Sequence, residues 1–380
     1  MSLSVYLKPT NFCTVDCEHC YLPLETRQNR EVISFEKLRE VARFLLDMIS
    51  KEKHQMLHIT WHGGEPMMLK PEWYQEAISI LDEEIGAERY TQSFQTSLLP
   101  YNSKWKELFE SRFQSFIGSS VDFTQRKIRN NTGSYLNKWM EKVESARADG
   151  MYIVPGMVPT RFEVGKGKEI VDWFVDNDFI EFNIERYSKI GVVGQPVDWP
   201  RNHHHSMFLI EVFDAIFDRI KNKEKAPYVK QIVAGINGIL YGVPGDRWGG
   251  RCQKEFIVIE PDGSLNSCPD RAMHEKPFSN ITDGAEGFIK SPDRRNWIRI
   301  QEITHKKSHC HTCEHRSWCR SGCPVTPNGI DDGEKECSGY KMFLTHVKEF
   351  LENKDNLELA RKYIEPLGEA VIQEELFNEK

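Results

Sequence analysis

At 380 residues the chain exceeds what one hydrophobic core usually organises, so more than one domain is expected. Apolar residues make up 39%, no apolar run approaches a membrane span, and no signal peptide precedes the first cysteine, so the expectation is the reducing cytoplasm, with free thiolates and no membrane partner. The net charge of −7 is spread along the chain without a concentrated basic patch, which argues against nucleic-acid binding; Arg294 and Arg295 read as solvated surface.

In chain order, Ser4 to Lys8 reads as a strand that leads into CTVDCEHC, where Cys13, Cys17 and Cys20 form a C-x3-C-x2-C triplet. Short gaps let one loop wrap a cube of irons, with three thiolates at three corners and the fourth iron open. Zinc would want a fourth ligand; His19 is the neighbouring candidate, although adjacent Cys20 makes simultaneous ligation awkward. Ser34 to Ile49 follows as a helix with Ser34 as N-cap, then a strand from Met56 to Trp61 that ends in HGGEP (Gly63, Gly64, Glu65, Pro66).

Helices at Pro71 to Ile85, Lys104 to Ser111, Ser134 to Ala148 and Gly167 to Asp176 alternate with strands at Ser93 to Thr96, Phe116 to Val121, Ile153 to Val158 and Ile180 to Glu185. Repeated strand-then-helix units imply a parallel sheet with right-handed crossovers, and chemistry at the carboxyl ends of its strands. That rule nominates Gln95, Thr96, Ser120, Asp122, Arg129, Glu185, Arg186 and Tyr187 beside the Cys loop and GGEP. His203, His204 and His205 precede the next helix and read as cap residues rather than metal ligands. Residues 226 to 250, rich in Gly and Pro, read as a linker, and IVIEPDGSLNSC as a hairpin turning at Pro261-Asp262-Gly263 with Cys268 on the returning strand. Cys310, Cys313, Cys319, Cys323 and Cys337 follow; a zinc ribbon over Cys310 to Cys323 stays open as an alternative. Tyr340 to Asn353 has helical periodicity, and the acidic tail to Lys380 reads as a further helix or a solvated end.

The Cys triplet followed some forty residues later by GGEP resembles the radical SAM enzymes, and the spacing of all seven later cysteines resembles their SPASM extension; together the likeness runs from about residue 4 to residue 340. The fold this implies is α/β, a partial (β/α)6 TIM-like radical SAM barrel over residues 1–225, a linker at 226–250, a small cysteine-rich SPASM auxiliary-cluster domain at 251–340 and a C-terminal helical segment at 341–380. The implied cofactors are S-adenosyl-L-methionine (SAM) and three 4Fe-4S clusters. Cys13, Cys17 and Cys20 would hold the SAM-binding one, Cys310, Cys313, Cys319 and Cys337 an outer auxiliary cluster, and Cys252, Cys268 and Cys323 an inner one. Fully ligated relatives carry another Cys just before the position of Cys252, and this chain does not, so the inner cluster has an open iron or a non-Cys ligand.

By the same resemblance, Gly63 and Gly64 let backbone approach the methionine amino group and Glu65 balances an ammonium. Ser120 and Arg129 would touch the ribose and carboxylate of SAM, with Phe123 in place of the usual Gly after Asp122, and His19 stands where relatives place an aromatic beside adenine. Asp270 is the general-base candidate; the sulfatase-maturing branch has Asp directly after the Cys, whereas Pro269 intervenes here. The implied activity is oxidative crosslinking, carbon–carbon or thioether, of a ribosomally made precursor peptide through a 5'-deoxyadenosyl radical, with a flavodoxin- or ferredoxin-type reductant. Twelve residues precede Cys13, so leader recognition is expected to use the barrel, the linker or another protein. The alternatives are sulfatase-type protein oxidation, dehydrogenation of a small alcohol or aminosugar and, from another class, an iron-sulfur carrier or zinc-binding interaction module.

Overall fold

A computed structural model describes residues 2–54, 56–129, 131–187, 200–270, 276–305, 309–323, 325 and 336–365, with side chains from 300 to 305 excepted. Its strands are β1 (Ser2–Leu7), β2 (Asp16–Cys17), β3 (Met56–Trp61), β4 (Tyr90–Thr96), β5 (Phe116–Ser120), β6 (Arg126–Lys127), β7 (Tyr152–Met157), β8 (Glu181–Ile184), β9 (Tyr228–Val229), β10 (Phe256–Ile259), β11 (Ser264–Asn266) and β12 (Ser279–Asn280). The chain divides into two compact units, the first built from residues 2–156 with 251–300, the second from 157–187, 200–250 and the described residues beyond 300.

In the first unit the strands run β12-β11-β10-β1-β3-β4-β5-β7. The pairs β10–β1, β1–β3, β3–β4, β4–β5 and β5–β7 are parallel, so their carboxyl ends share one rim. Leu3, Val5 and Leu7 of β1 and Leu57, Ile59 and Trp61 of β3 are fully buried on one face. The amphipathic helix Phe35–Glu52 buries Leu38, Val41, Ala42, Leu45, Met48 and Ile49 on one side; Ser34 caps it by accepting from the Lys37 amide (3.1 Å). The opposite face of β3 and β4 is half-buried and polar. His58 bonds Thr91 (2.8 Å) and Ser93 (3.2 Å), and Thr60 bonds Ser93 (2.9 Å). Parallel strands are ordinarily apolar on both faces, so this stripe marks a wet or ligand-facing interior.

The expected hairpin is present, β10 and β11 pairing antiparallel, but its first strand also pairs with β1 from Ser4↔Phe256 to Leu7↔Ile259 and so belongs to the same sheet. Cys268 lies two residues beyond the returning strand, which ends at Asn266, rather than on it. Arg294 is not solvated surface either. It is buried over the Phe288 ring at 4.7 Å, where its apolar plane covers an aromatic face.

In the second unit β8 and β9 are parallel. The stretch read as linker contains a helix, Lys230–Tyr241, whose Gly235 and Gly238 leave room for the Phe343 and Trp318 rings. The final expected helix forms as Lys341–Leu351, followed by Lys354–Ile364; the tail beyond residue 365 lies outside the described residues.

Candidate functional site

β1 delivers the chain to the rim and the Cys loop begins at once. Its backbone is tied down at several points: the Cys13 amide donates to Arg27 O (3.0 Å), the Cys20 amide to Cys17 O (3.4 Å), and the Arg27 guanidinium to Val15 O (3.1 Å). Cys13, Cys17 and Cys20 are half-buried, and their thiols lie within electrostatic reach of one another. Burial, helped by Glu65, pushes the Cys13 thiol up to about 12, and burial pushes Cys17 to about 11 against the opposing pull of Arg126. Metal ligation requires the thiolate, so a bound cation would offset the burial that raises Cys13 and Cys17.

β3 brings the second part of the site. After Trp61 the His62 amide donates to Leu7 O (3.0 Å), the Gly64 amide to Thr10 O (3.1 Å) and the Glu65 amide to Phe12 O (2.8 Å). A Cβ at Gly63, which has φ +137°, would collide with the Thr10 carbonyl oxygen; one at Gly64 would collide with those of Asn11 and Phe12. The two glycines therefore admit the Cys loop itself. Glu65 is buried and its carboxylate is fully engaged: it accepts from Thr96 Oγ1 (2.6 Å), the Ser97 amide (2.7 Å), the Ser97 hydroxyl and the Met67 amide (2.9 Å). It locks the ends of β3 and β4 together.

The third part comes from the end of β5. Ser120 Oγ accepts from Gln95 Nε2 (3.0 Å), and its carbonyl accepts from the Tyr135 hydroxyl (2.7 Å). Asp122 is buried and takes the Arg126 Nε–H at 2.6 Å, while Arg126 Nη1 donates to Cys17 Sγ at 3.2 Å. His19 Nε2 stands 3.7 Å from the Asp122 carboxylate; burial and Arg126 hold its imidazole well below the usual range, so it is neutral. Arg129 is placed differently. It is exposed, in a left-handed bend (φ 51°), between Ile128 and Asn131, which bridge to each other. Arg126, which the sequence did not single out, is the arginine that bonds a thiol of the Cys loop.

A fourth group occupies the first positions past β1, β3 and β10. Lys8 and Glu260 form a buried ion pair (2.6 Å), Asn11 Nδ2 donates to Glu260 (2.9 Å), and Lys8 Nζ lies 4.8 Å from the centre of the Tyr21 ring. His62 stacks on Tyr6 (4.6 Å, 9°); burial, then Lys8 and Arg126, lower its pKa to about 3. Its Nδ1 accepts from the Gly63 amide (2.8 Å), so the neutral ring carries its proton on Nε2. Burial raises the Tyr21 hydroxyl well above its usual range, with Glu260, Cys20 and Asp270 adding to it, which puts Asp270 in the electrostatic neighbourhood of the Cys loop. Each of Lys8, His62 and Glu260 is the first residue past a strand, a signal that the carboxyl-end rule could have used.

The second unit gathers Cys310, Cys313, Cys319 and Cys337. Burial, then Cys337, raises the Cys319 thiol well above its usual range, and burial raises Cys337, with Cys310 and Cys313 contributing. A Cβ at Gly339 would collide with Cys319 Sγ, and Gly322 (φ +64°) admits the Ser338 carbonyl. The Gly249 amide donates to Cys319 O (3.0 Å), and Trp248 Nε1 to Gly339 O (2.9 Å). Buried Cys323 belongs to this unit; Cys252, exposed, and Cys268, half-buried, belong to the first. Among the described residues no three His, Cys, Asp or Glu side chains converge as closely as a single metal ion with bonds of about 2 Å requires.

Also in the second unit, Arg247 links Asp246 (2.6 Å), His205 Nε2 (2.9 Å) and Ile184 O (2.6 Å), beside Glu185, whose carboxyl is raised by burial and by Asp246. Arg186 and Tyr187 line a small cleft with His205 and Tyr340. The histidine run serves the helix Asn202–Lys221: His203 pairs with Glu336, His204 Nδ1 accepts from the Arg201 amide (3.1 Å), and His205 is buried against Tyr340.

The radical SAM superfamily is matched over residues 7–174, the span that holds the Cys loop, GGEP and the β5 end. Residues 7–174 are a radical SAM domain. An uncharacterized protein of Methanothermobacter thermautotrophicus is 25% identical over 178 residues, 47% of this chain and 65% of that protein, so the chain spans just under two thirds of that relative. The likeness to the serine-type anaerobic sulfatase-maturating enzyme of Bacteroides thetaiotaomicron runs the length of both, 20% identity over 92% of this chain and 90% of the relative. Among solved structures, anSMEcpe with bound AdoMet superposes with a TM-score of 0.77 at 18% identity, covering 94% of this chain and 99% of that one. Streptococcus suis SuiB bound to its precursor peptide SuiA gives 0.55 at 15% identity, covering 87% and 75%. The likeness in fold thus continues beyond residue 174 into the C-terminal region. Among the described residues no helix is long and apolar enough to cross a membrane.

Proposed function

We propose that the chain is a radical SAM maturase that oxidises a peptide, and that oxidative crosslinking of a ribosomally made precursor is its reaction. The observation that carries the reading is the joint between the GGE strand end and Thr10, Asn11 and Phe12, the residues that lead directly into the loop of Cys13, Cys17 and Cys20, at the rim that chemistry uses in such barrels. The residues fit the cofactors: three half-buried thiols share one loop within electrostatic reach of one another, and a half-buried polar face continues inward from the rim. Cys13, Cys17 and Cys20 would hold a 4Fe-4S cluster, with SAM between it and the ends of β3 and β5, near His19, Gly63, Gly64 and Ser120; Arg129 would have to turn inward to join them. When bound, cluster and SAM together supply an electron and a hydrogen-abstracting 5'-deoxyadenosyl radical.

The chain's own part is positioning and proton handling. Glu65 fixes the GGE turn through its four hydrogen bonds, so its role is to set the shape of the strand end rather than to meet an ammonium. Asp270, in the field of Tyr21, is suited to take the proton that leaves an oxidised substrate carbon or its heteroatom. Cys310, Cys313, Cys319 and Cys337 would hold one auxiliary cluster and Cys252, Cys268 and Cys323 another, giving the substrate electron a way out and making a two-electron oxidation the natural outcome. A small flavodoxin- or ferredoxin-type donor and a cytoplasmic setting follow from that chemistry.

The full-length likeness to a sulfatase-maturating enzyme favours a second reading, oxidation of a Ser or Cys in a folding protein to an aldehyde. One experiment separates them. The enzyme is co-expressed with the short reading frame beside its gene, and the peptide is analysed by tandem mass spectrometry. Loss of a hydrogen pair with fragmentation suppressed between two residues is expected. A product that reacts with a hydrazide would transfer the assignment to aldehyde formation, and an unaltered peptide with SAM cleavage intact would refute the peptide reading.

A further inference from the structure

We propose that Arg126 is a positioning residue that raises the reduction potential of the cluster held by Cys13, Cys17 and Cys20, with Asp122 as its opposing charge; this rests on the ligand reading above. The arrangement is built in. β6 pairs antiparallel with β2, which sets Arg126 directly opposite Cys17 and Lys127 opposite Asp16. The Glu18 amide donates to Gln125 O (3.1 Å), and Lys127 pairs with Glu18, so the ladder is fastened on both sides. From that register the guanidinium reaches Cys17 Sγ at 3.2 Å through Nη1 and Asp122 at 2.6 Å through Nε, with its side chain only 14% exposed and that of Asp122 2% exposed.

A thiolate-bound cluster becomes more negative when reduced. A fixed cation bonded to one of its sulfurs, in a site of low dielectric, stabilises the reduced state, and a fixed anion behind that cation weakens the effect. His19 Nε2 stands 3.7 Å from the Asp122 carboxylate and 3.5 Å from Arg126 Nη2, beside the pair. An arginine here is thus a built-in setting for how readily SAM receives its electron. The two-residue ladder is what keeps it on Cys17.

The test is an anaerobic redox titration of the full-length reconstituted enzyme, followed by EPR, taking the reduced signal that changes on adding SAM as that of this cluster. For Arg126→Gln the midpoint moves to more negative potential, the reduced fraction at fixed potential falling about tenfold, which is about 59 mV for one electron. Asp122→Asn moves it the other way, and Arg126→Lys stays close to wild type. Unchanged midpoints in Arg126→Gln and Asp122→Asn, with the SAM-responsive signal present, overturn the proposal. Should Arg126→Gln fail to take up iron, the sign of the Asp122→Asn shift decides. A wild-type enzyme with no SAM-responsive signal removes the ligand reading itself, and the proposal with it.

Discussion

The two cysteine groups are held by different means. Cys13, Cys17 and Cys20 lie half-buried on a long loop whose shape comes from backbone hydrogen bonds to a rigid strand end and from an arginine fixed on a neighbouring ladder. Cys310, Cys319 and Cys337 are buried and Cys313 half-buried, in short turns packed around Gly322 and Gly339 under Trp248 and Trp318. On the ligand reading proposed above, the accessible site is made from a sheet rim and the closed one from tight turns and aromatic cover.

The largest effect that would break this contrast comes from removing one thiol in each group. Cys13→Ala should abolish deoxyadenosine formation, measured by chromatography under dithionite. On the proposed reading with auxiliary clusters, Cys319→Ala should lower bound iron yet retain SAM cleavage. Loss of SAM cleavage in both would mean that the groups do not act separately.

Next are the glycines. Gly64→Ala forces a Cβ into the Asn11 and Phe12 carbonyls and should strip iron from the first site, while Gly339→Ala presses on Cys319 and should affect only the auxiliary signal. Iron content and EPR on the two variants sharpen the comparison: the clash at Gly64 is with backbone that cannot yield, that at Gly339 with a thiol itself.

The smallest effect lies away from both sites, at His346, whose pKa is raised by its hydrogen bond to Asp214 at 2.6 Å. A raised pKa in the folded state means that this pair stabilises fully below the unfolded value near 6.5, and that the contribution fades as pH rises through the folded one. With half-exposed partners it amounts to under about 1 kcal/mol. Thermal melts of His346→Gln should therefore fall below wild type at pH 5.5 to 6 and converge with it above pH 8; a difference independent of pH would contradict this.

Much of the fold was legible because it is local. Met56–Trp61, Pro71–Ile85 and Gly167–Asp176 form over the spans that their apolar periodicity and flanking Pro or Gly mark out, and Ser34 caps where its side chain can reach the third amide of its helix. The pairing of β10 with β1 was not legible, since it joins segments some 250 residues apart with no local signature. Gly235 and Gly238 read as linker residues because glycine looks the same whether it loosens a chain or admits a ring. At the site, spacing revealed the cysteines and GGEP, but Arg126 depends on a two-residue ladder, and Lys8 on a carboxylate 252 positions away.

That last pair bears on synthesis. As the chain emerges, β1 finds β3 within some sixty residues, but its other edge waits for β10. Until Glu260 arrives, Lys8 has no anion to accompany it into the interior, and the edge beside the Cys loop remains a bare row of backbone groups. The rim beside the Cys loop is therefore finished late, so a ribosome that stops short of residue 256 releases a chain with an open sheet edge, ready to stick to its neighbours.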